Sequence, residues 1–308
     1  AHRPLRGHGP NETQIRSGHF DSRHHIEREQ AGADGDECIQ GLMFLNCHTA
    51  FSFKYGTLKV EQLFQEARRC GVHKLALTEI NNTASYIEML RVCRENKPGS
   101  PTGGNQAHDL EVALGVEFRN QHDLLYIALA QNNDGFEQIN RFLSYHNAEG
   151  KAFPKRAPEL DQVFFIYPFG TEPDLLRLNE VIGIRQEQLS LMAFHSAYKR
   201  HADKLVILHP VTFASKIDFN VHRLLRAIDN NTLLSKLPVE QQADSNEIML
   251  SEGEVKKAYA QFPELIRNTE ALLRQCTIEF ELGTDKNKQS LTENSDRDRQ
   301  RRVTQDWE

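Results

Sequence analysis

Apolar residues in this chain fall in short blocks separated by helical patterns. Blocks at 43–45, 74–78, 111–118, 123–130, 163–167, 180–184 and 205–208 read as buried strands. Between them the spacing changes to the helical period. Val60, Leu63, Phe64 and Ala67 share one face, with Thr57 as cap and Gly71 as stop. Asn82 precedes a helix with Tyr86, Ile87, Leu90 and Cys93. Asp134 and Glu137 form a capping pair before Phe136, Ile139 and Leu143. Further helices are predicted over 186–199 (Leu189 and Ala193 inward), around Val221, Leu224, Leu225 and Ile228, and after Ser251–Glu254 with Val255 and Ala258. Pro263 starts one more, with Ile266, Thr269 and Leu273 on one side. Short strands alternating with helices predict a largely parallel α/β barrel, in which functional groups collect at the C-terminal ends of the strands.

The remainder is not patterned. Residues 1–40 hold His2, His8, His19, His24 and His25 among charged and small residues, and predict a disordered leader rather than a metal-binding tract. Residues 96–109, with the Gly103–Gly104 pair, read as a flexible loop. Residues 284–308, including the run RDRQRR at 297–302, read as a charged tail or the start of a further segment. The barrel is therefore expected over 41–283.

Composition narrows the function. With 37 Lys and Arg against 43 Asp and Glu, the net charge of −6 gives no electrostatic reason for this chain to bind nucleic acid alone. The five cysteines (Cys38, Cys47, Cys70, Cys93, Cys276) are scattered without a Cys-x-x-Cys pair, which fits a reducing cytoplasm better than a disulfide framework. No apolar run is long enough to span a bilayer, and no signal peptide is visible. Phosphate-loop, Gly-x-Ser-x-Gly and His-Glu-x-x-His motifs are all missing.

One stretch carries candidate chemistry. The strand at 43–45 runs into Asn46, Cys47, His48 and Thr49, then Phe51-Ser52 and Tyr55-Gly56. This frame resembles the opening motif of the PHP domain, a metal-dependent phosphoesterase family. The resemblance implies a distorted TIM-like (β/α)7 barrel of the PHP type. It also implies a cluster of His, Asp, Glu and Cys holding up to three divalent metals that activate water against a phosphoester.

Against that pattern the ligand set is eroded. Asn46 stands where the first histidine belongs, Tyr55 replaces an acid, and Ile80 replaces a ligand in the run Thr78-Glu79-Ile80. The late Asp-x-His aligns with Pro210-Val211-Thr212, and a family cysteine gives way to an apolar residue near Phe169. His48 and the Glu117 of Gly115-Val116-Glu117 are retained, with Glu79, His146 and His209 as stand-ins. A lone histidine at a strand end is more often structural than a ligand. No catalytic residue is therefore assigned, and the resemblance allows at most one weakly held Mn, Zn or Mg ion at His48 and Glu117.

The strings at 124–144, 153–160 (FPKRAPEL) and 262–283 further resemble the PHP domains of bacterial DNA polymerase III alpha subunits. In those proteins the PHP domain precedes a catalytic palm, which residues 1–308 do not supply. This resemblance implies a non-catalytic scaffold in DNA replication. Its partners would be the rest of the alpha subunit and a proofreading exonuclease, with DNA reached only through the full polymerase. The alternative is a stand-alone metal-dependent phosphoesterase or 3′–5′ exonuclease.

Overall fold

The computed structural model describes residues 42–101, 108–194 and 201–280. The leader expected over 1–40, the tail over 284–308, the middle of the 96–109 loop and the last residues of the 186–199 helix lie outside them. All seven expected strands are present: β1 (Leu42–Cys47), β2 (Val72–Ile80), β3 (Glu111–Asn120), β4 (Asp123–Ala130), β5 (Val163–Pro168), β6 (Glu180–Ile184) and β7 (Leu205–Ile207). A two-residue strand, β8 (Pro210–Val211), makes an eighth. They form one sheet in the order β7-β6-β5-β4-β3-β2-β1-β8. Pairing is parallel except where β4 runs antiparallel between β3 and β5.

The helices among the described residues are α1 (Val60–Cys70), α2 (Tyr86–Glu95), α3 (Asn133–Glu149), α4 (Leu189–Phe194), α5 (Lys216–Asp229), α6 (Glu252–Ala258) and α7 (Pro263–Arg274). Gly71 closes α1 at φ 71° and donates to the carbonyls of Ala67 and Arg68, as its position predicts. Ser251 with Glu254 and Pro263 open α6 and α7 as expected, whereas three other start signals are displaced by a residue or more. Lys59 rather than Thr57 caps α1, Ser85 rather than Asn82 precedes α2, and Asn132 rather than Asp134 caps α3 by accepting from the Gly135 amide.

The sheet is curled. At about 4.8 Å between strands, a flat sheet would place β1 and β7 roughly 29 Å apart. Instead Leu45 of β1, Ala113 of β3, Ile166 of β5 and Val206 of β7 belong to one buried cluster. Leu272, Leu273 and Cys276, at the end of α7, join it. This helix also protects the free edge of β7. Thr269 Oγ1 accepts from the Ile207 amide at 2.8 Å, and Asn268 Nδ2 donates to the Leu205 carbonyl at 2.8 Å. The architecture is thus an α/β half-barrel with the C-termini of every strand but β4 gathered at one end and a helix across the open seam. A second apolar layer, including Phe44, Leu63, Phe64, Leu75 and Met89, lies between the sheet and α1 and α2.

Candidate functional site

The loop after β1 is shaped by its own backbone and by one buried acid. The Ser52 amide donates to Thr49, and those of Tyr55 and Gly56 to Ser52, at 2.9 Å each. A Cβ on Gly56 would lie 1.9 Å from the Thr49 carbonyl oxygen, so this close approach admits only glycine. Glu79, fully buried on β2, accepts from the Thr49 amide (3.1 Å), Ser52 Oγ (2.5 Å), Ser85 Oγ (2.7 Å) and Thr49 Oγ1. Glu79 therefore anchors the loop and is no stand-in ligand. Its four donors fill the carboxylate.

The loop brings His48 over Glu117. His48 Nε2 lies 3.1 Å from Glu117 Oε2, and both side chains are inaccessible to solvent. The same oxygen accepts from Asn46 Nδ2 at 2.6 Å, and Asn46 Oδ1 accepts in turn from Thr78 Oγ1 at 2.6 Å. The other carboxylate oxygen, Glu117 Oε1, takes the guanidinium of Arg119. On the far side of the imidazole, His48 Nδ1 is 3.2 Å from Thr212 Oγ1, which donates to Glu247 Oε2 at 2.6 Å. Arg185 closes the chain on Glu247 Oε1 at 3.3 Å.

Electrostatics follow from these contacts. Burial alone would raise the Glu117 carboxyl, but the charge of Arg119, the charge and hydrogen bond of His48 and the Asn46 amide together hold it well below the usual carboxylate range. Burial opposes the charge of Arg119, and Glu117 more than offsets it. Tyr55 accepts from Arg119 Nη2 at 3.2 Å while its ring lies 4.4 Å from the guanidinium carbon. Burial dominates its phenol, which is pushed up to about 12 and stays protonated. Beneath Tyr55, His222 Nδ1 donates to the Tyr55 carbonyl at 2.7 Å and Nε2 accepts from the Ala243 amide at 2.8 Å. That tautomer is neutral, in keeping with a pKa lowered first of all by burial.

Of the residues predicted from sequence, the structure unites His48, Glu117, Asn46 and Thr212 in one network. Tyr55 and Ile80 share an apolar cluster with Phe213 and Ala243 at its edge. Two stand-ins fall elsewhere. His146 sits half-buried on α3 against Phe142 and Phe153, at 4.5 and 5.0 Å between rings, and so belongs to an aromatic cluster away from His48 and Glu117. His209 pairs with the Ile248 carbonyl at 2.8 Å, and burial lowers its pKa. With Pro210 it borders a cleft of about 320 Å³, together with Arg185, Glu187, Asp244 and Glu247.

Arg119, Arg185 and Glu247 were not anticipated. For Arg119 the signal was present. The segment 119–122 reads as a turn, but β3 continues to Asn120, pairing with Asp123, and only Gln121 and His122 make the turn. Arg119 therefore follows Glu117 by two positions along one strand.

The donor set does not fit a metal. Among the described residues no three His, Cys, Asp or Glu side chains converge as a metal-binding group. Both oxygens of Glu117 are taken by N–H donors, one of them a guanidinium that already supplies positive charge. The carbonyl of the Asn46 amide is turned to Thr78. An ion at Glu117 would have to displace Arg119 and leave both charges competing for one carboxylate.

Residues 45–178 match the PHP domain family, and that segment is a PHP domain. The DNA polymerase III alpha subunit of Escherichia coli is 22% identical over 281 residues, covering 79% of this chain and 23% of that protein. Its counterpart in Buchnera aphidicola is 19% identical over 288 residues, covering 80% and 24%. The chain thus spans about a quarter of the length of these relatives. Among solved structures, a protein described as a metal-dependent phosphoesterase from Bifidobacterium adolescentis matches at 14% identity and a TM-score of 0.26. It covers 71% of this chain and 96% of its own, a likeness too weak to carry argument.

Proposed function

We propose that this PHP domain serves as a non-catalytic scaffold within a replicative DNA polymerase of the DNA polymerase III alpha type. One observation carries the reading. The Glu117 carboxylate, which would hold a metal in an active PHP site, is filled by Asn46, His48 and Arg119. An acid whose lone pairs are so engaged neither coordinates a metal nor takes a proton from water near neutral pH. What it does is tie the C-terminal ends of β1 and β3 together, and His48, Thr212 and Glu247 extend the tie beyond β8.

The scaffold works in the cytoplasm, where its partners are the remainder of the alpha subunit and a docked proofreading exonuclease, and DNA reaches it only through the assembled polymerase. Similarity to the two alpha subunits over about four-fifths of the chain supports this assignment. Among the described residues no helix is long and apolar enough to cross a membrane.

Two measurements test the proposal. Calorimetric titration of the 308-residue chain with Mn²⁺ and Zn²⁺ is expected to give no binding heat, alongside no hydrolysis of a phosphodiester substrate. Stoichiometric metal binding with hydrolysis lost in Glu117→Gln would establish a stand-alone phosphoesterase or exonuclease instead. Separately, the gene past the codon for Glu308 is expected to encode a palm with paired aspartates. A stop codon there would overturn the polymerase assignment.

A further inference from the structure

Helix α5 is held by polar joints more than by an apolar face. The residues it buries are His222, Arg226 and Ala227, two of them polar. Phe219, 5.4 Å from Phe213 between rings, adds a partly buried apolar anchor. Ile217, Val221, Leu224 and Ile228 are exposed. The Lys54–Asp229 ion pair, at 3.1 Å, is about a third exposed on both sides and holds little by itself.

Two of the joints run through histidine, and their partners fix the protonation state. The Ala243 amide can only donate, so His222 Nε2 accepts from it at 2.8 Å. The Tyr55 carbonyl can only accept, so His222 Nδ1 carries the proton at 2.7 Å. Arg226 Nη2 can only donate, so His122 Nδ1, 2.8 Å away on the β3–β4 turn, accepts as well. Both acceptor contacts therefore exist only while the imidazole is neutral. A proton on His222 removes the acceptor for Ala243, and a proton on His122 sets a cation against the guanidinium. The groups facing His222 are Tyr55 from the loop after β1, Arg119 from β3, Arg226 from its own helix and Glu247 from the coil beyond. Burial is the largest effect and lowers its pKa; the bond to the Tyr55 carbonyl and Glu247 act the other way, and Arg226 and Arg119 add to the lowering. His122 is faced by Arg226, whose Nη1 holds Asp229 at 2.7 Å, with Asp123 next to it in the chain.

We infer that α5 with the coil up to Ala243 is a proton-released strap, whose joints at Ala243 and at the β3–β4 turn open when His222 and His122 take up protons while the barrel stays folded. The bond from His222 Nδ1 to the Tyr55 carbonyl survives protonation, so the strap loosens without detaching. A helix of 14 residues is marginal by itself, and with its joints open it frays. Strands β2, β3 and β4 are joined by backbone ladders and apolar side chains, which uptake of protons by histidine does not alter. The inference does not depend on the polymerase assignment.

Hydrogen exchange on the 308-residue chain, read as protection factors at about pH 7.5 and about pH 5.5, tests it. Peptides within 216–243 are expected to lose protection roughly tenfold or more over that range, and peptides from β2 to β4 less than about threefold. The double variant His122→Gln, His222→Gln carries amides that accept and donate but do not titrate, and is expected to abolish the difference. A strap that loses no more protection than the strands overturns the inference, because the acid response is then global. A double variant that keeps the parent's pH dependence overturns it equally. Should the double variant be unprotected over 216–243 already at about pH 7.5, His122→Gln alone decides. A smaller pH dependence than the parent's supports the strap, and an unchanged one overturns it.

Discussion

Glu117 and Arg119 are two positions apart on β3, and the pair holds the whole network in one charge state. Replacing Arg119 by Ala would leave a fully buried carboxylate with only His48 and Asn46 to answer it. Breaking a buried pair from one side costs about 3–5 kcal/mol, so Arg119→Ala should lose stability on that scale in urea denaturation. The double variant Glu117→Gln, Arg119→Met removes both charges and is expected to recover more than half of the loss. A double variant no better than the single one would mean that Arg119 acts through its stacking on Tyr55 rather than through Glu117. The sequence exposed half of this pair. Glu117 is legible from Gly-x-Glu at a strand end, whereas Arg119 looks like a turn residue until the two-residue hairpin at Gln121–His122 lengthens the strand past it.

At the scale of elements, two glycines separate what a turn needs from what a close approach needs. Gly71 has φ 71° and open space around its missing Cβ, so Gly71→Ala pays only for the left-handed backbone, about 1 kcal/mol. Gly56 has no such freedom. The Thr49 carbonyl blocks a side chain at 1.9 Å, and Gly56→Ala must move the loop that places His48. Its thermal midpoint should fall well below that of Gly71→Ala, and equal midpoints would contradict the geometry. The strands were legible because their apolar blocks are bounded by polar residues, and β8 was missed because two residues carry no period. Helix α5 misled for a physical reason. Its amphipathic stripe is real, but the side facing the barrel is chosen by His222 and Arg226, whose hydrogen bonds to Tyr55 and Gln241 hydropathy does not register. The same blindness hid Glu247, which lies outside every strand and becomes part of the site only because Thr212 Oγ1 reaches it.

For the molecule as a whole, His209, His222 and Glu117 press the acid response in one direction, against Glu270, whose carboxyl burial raises. His209 and His222 have folded pKa values lowered chiefly by burial, so the unfolded chain takes up protons at these sites before the folded chain does. Their contribution is present above about pH 6.5, the ordinary histidine value, and declines as pH falls below it. Glu117 is depressed in the folded state as well, despite its burial, because Arg119 and His48 favour its charged form. Its contribution is full above about pH 4.3, the ordinary glutamate value, and is lost as pH falls towards its folded pKa. Urea-unfolding free energy should therefore be flat near neutrality, slope downward below about pH 6.5, and steepen below about pH 4.5. The two regions can be told apart by mutation. Glu117→Gln should flatten the acid limb while leaving the slope around pH 6 in place, because the histidines do not depend on that carboxylate for their neutral state. His222→Gln should do the reverse, reducing the slope near pH 6 at a cost in overall stability from the hydrogen bonds to Tyr55 and Ala243. If Glu117→Gln left the acid limb unchanged, the carboxylate would not be the charged centre of the network, and the scaffold reading would lose its main physical support.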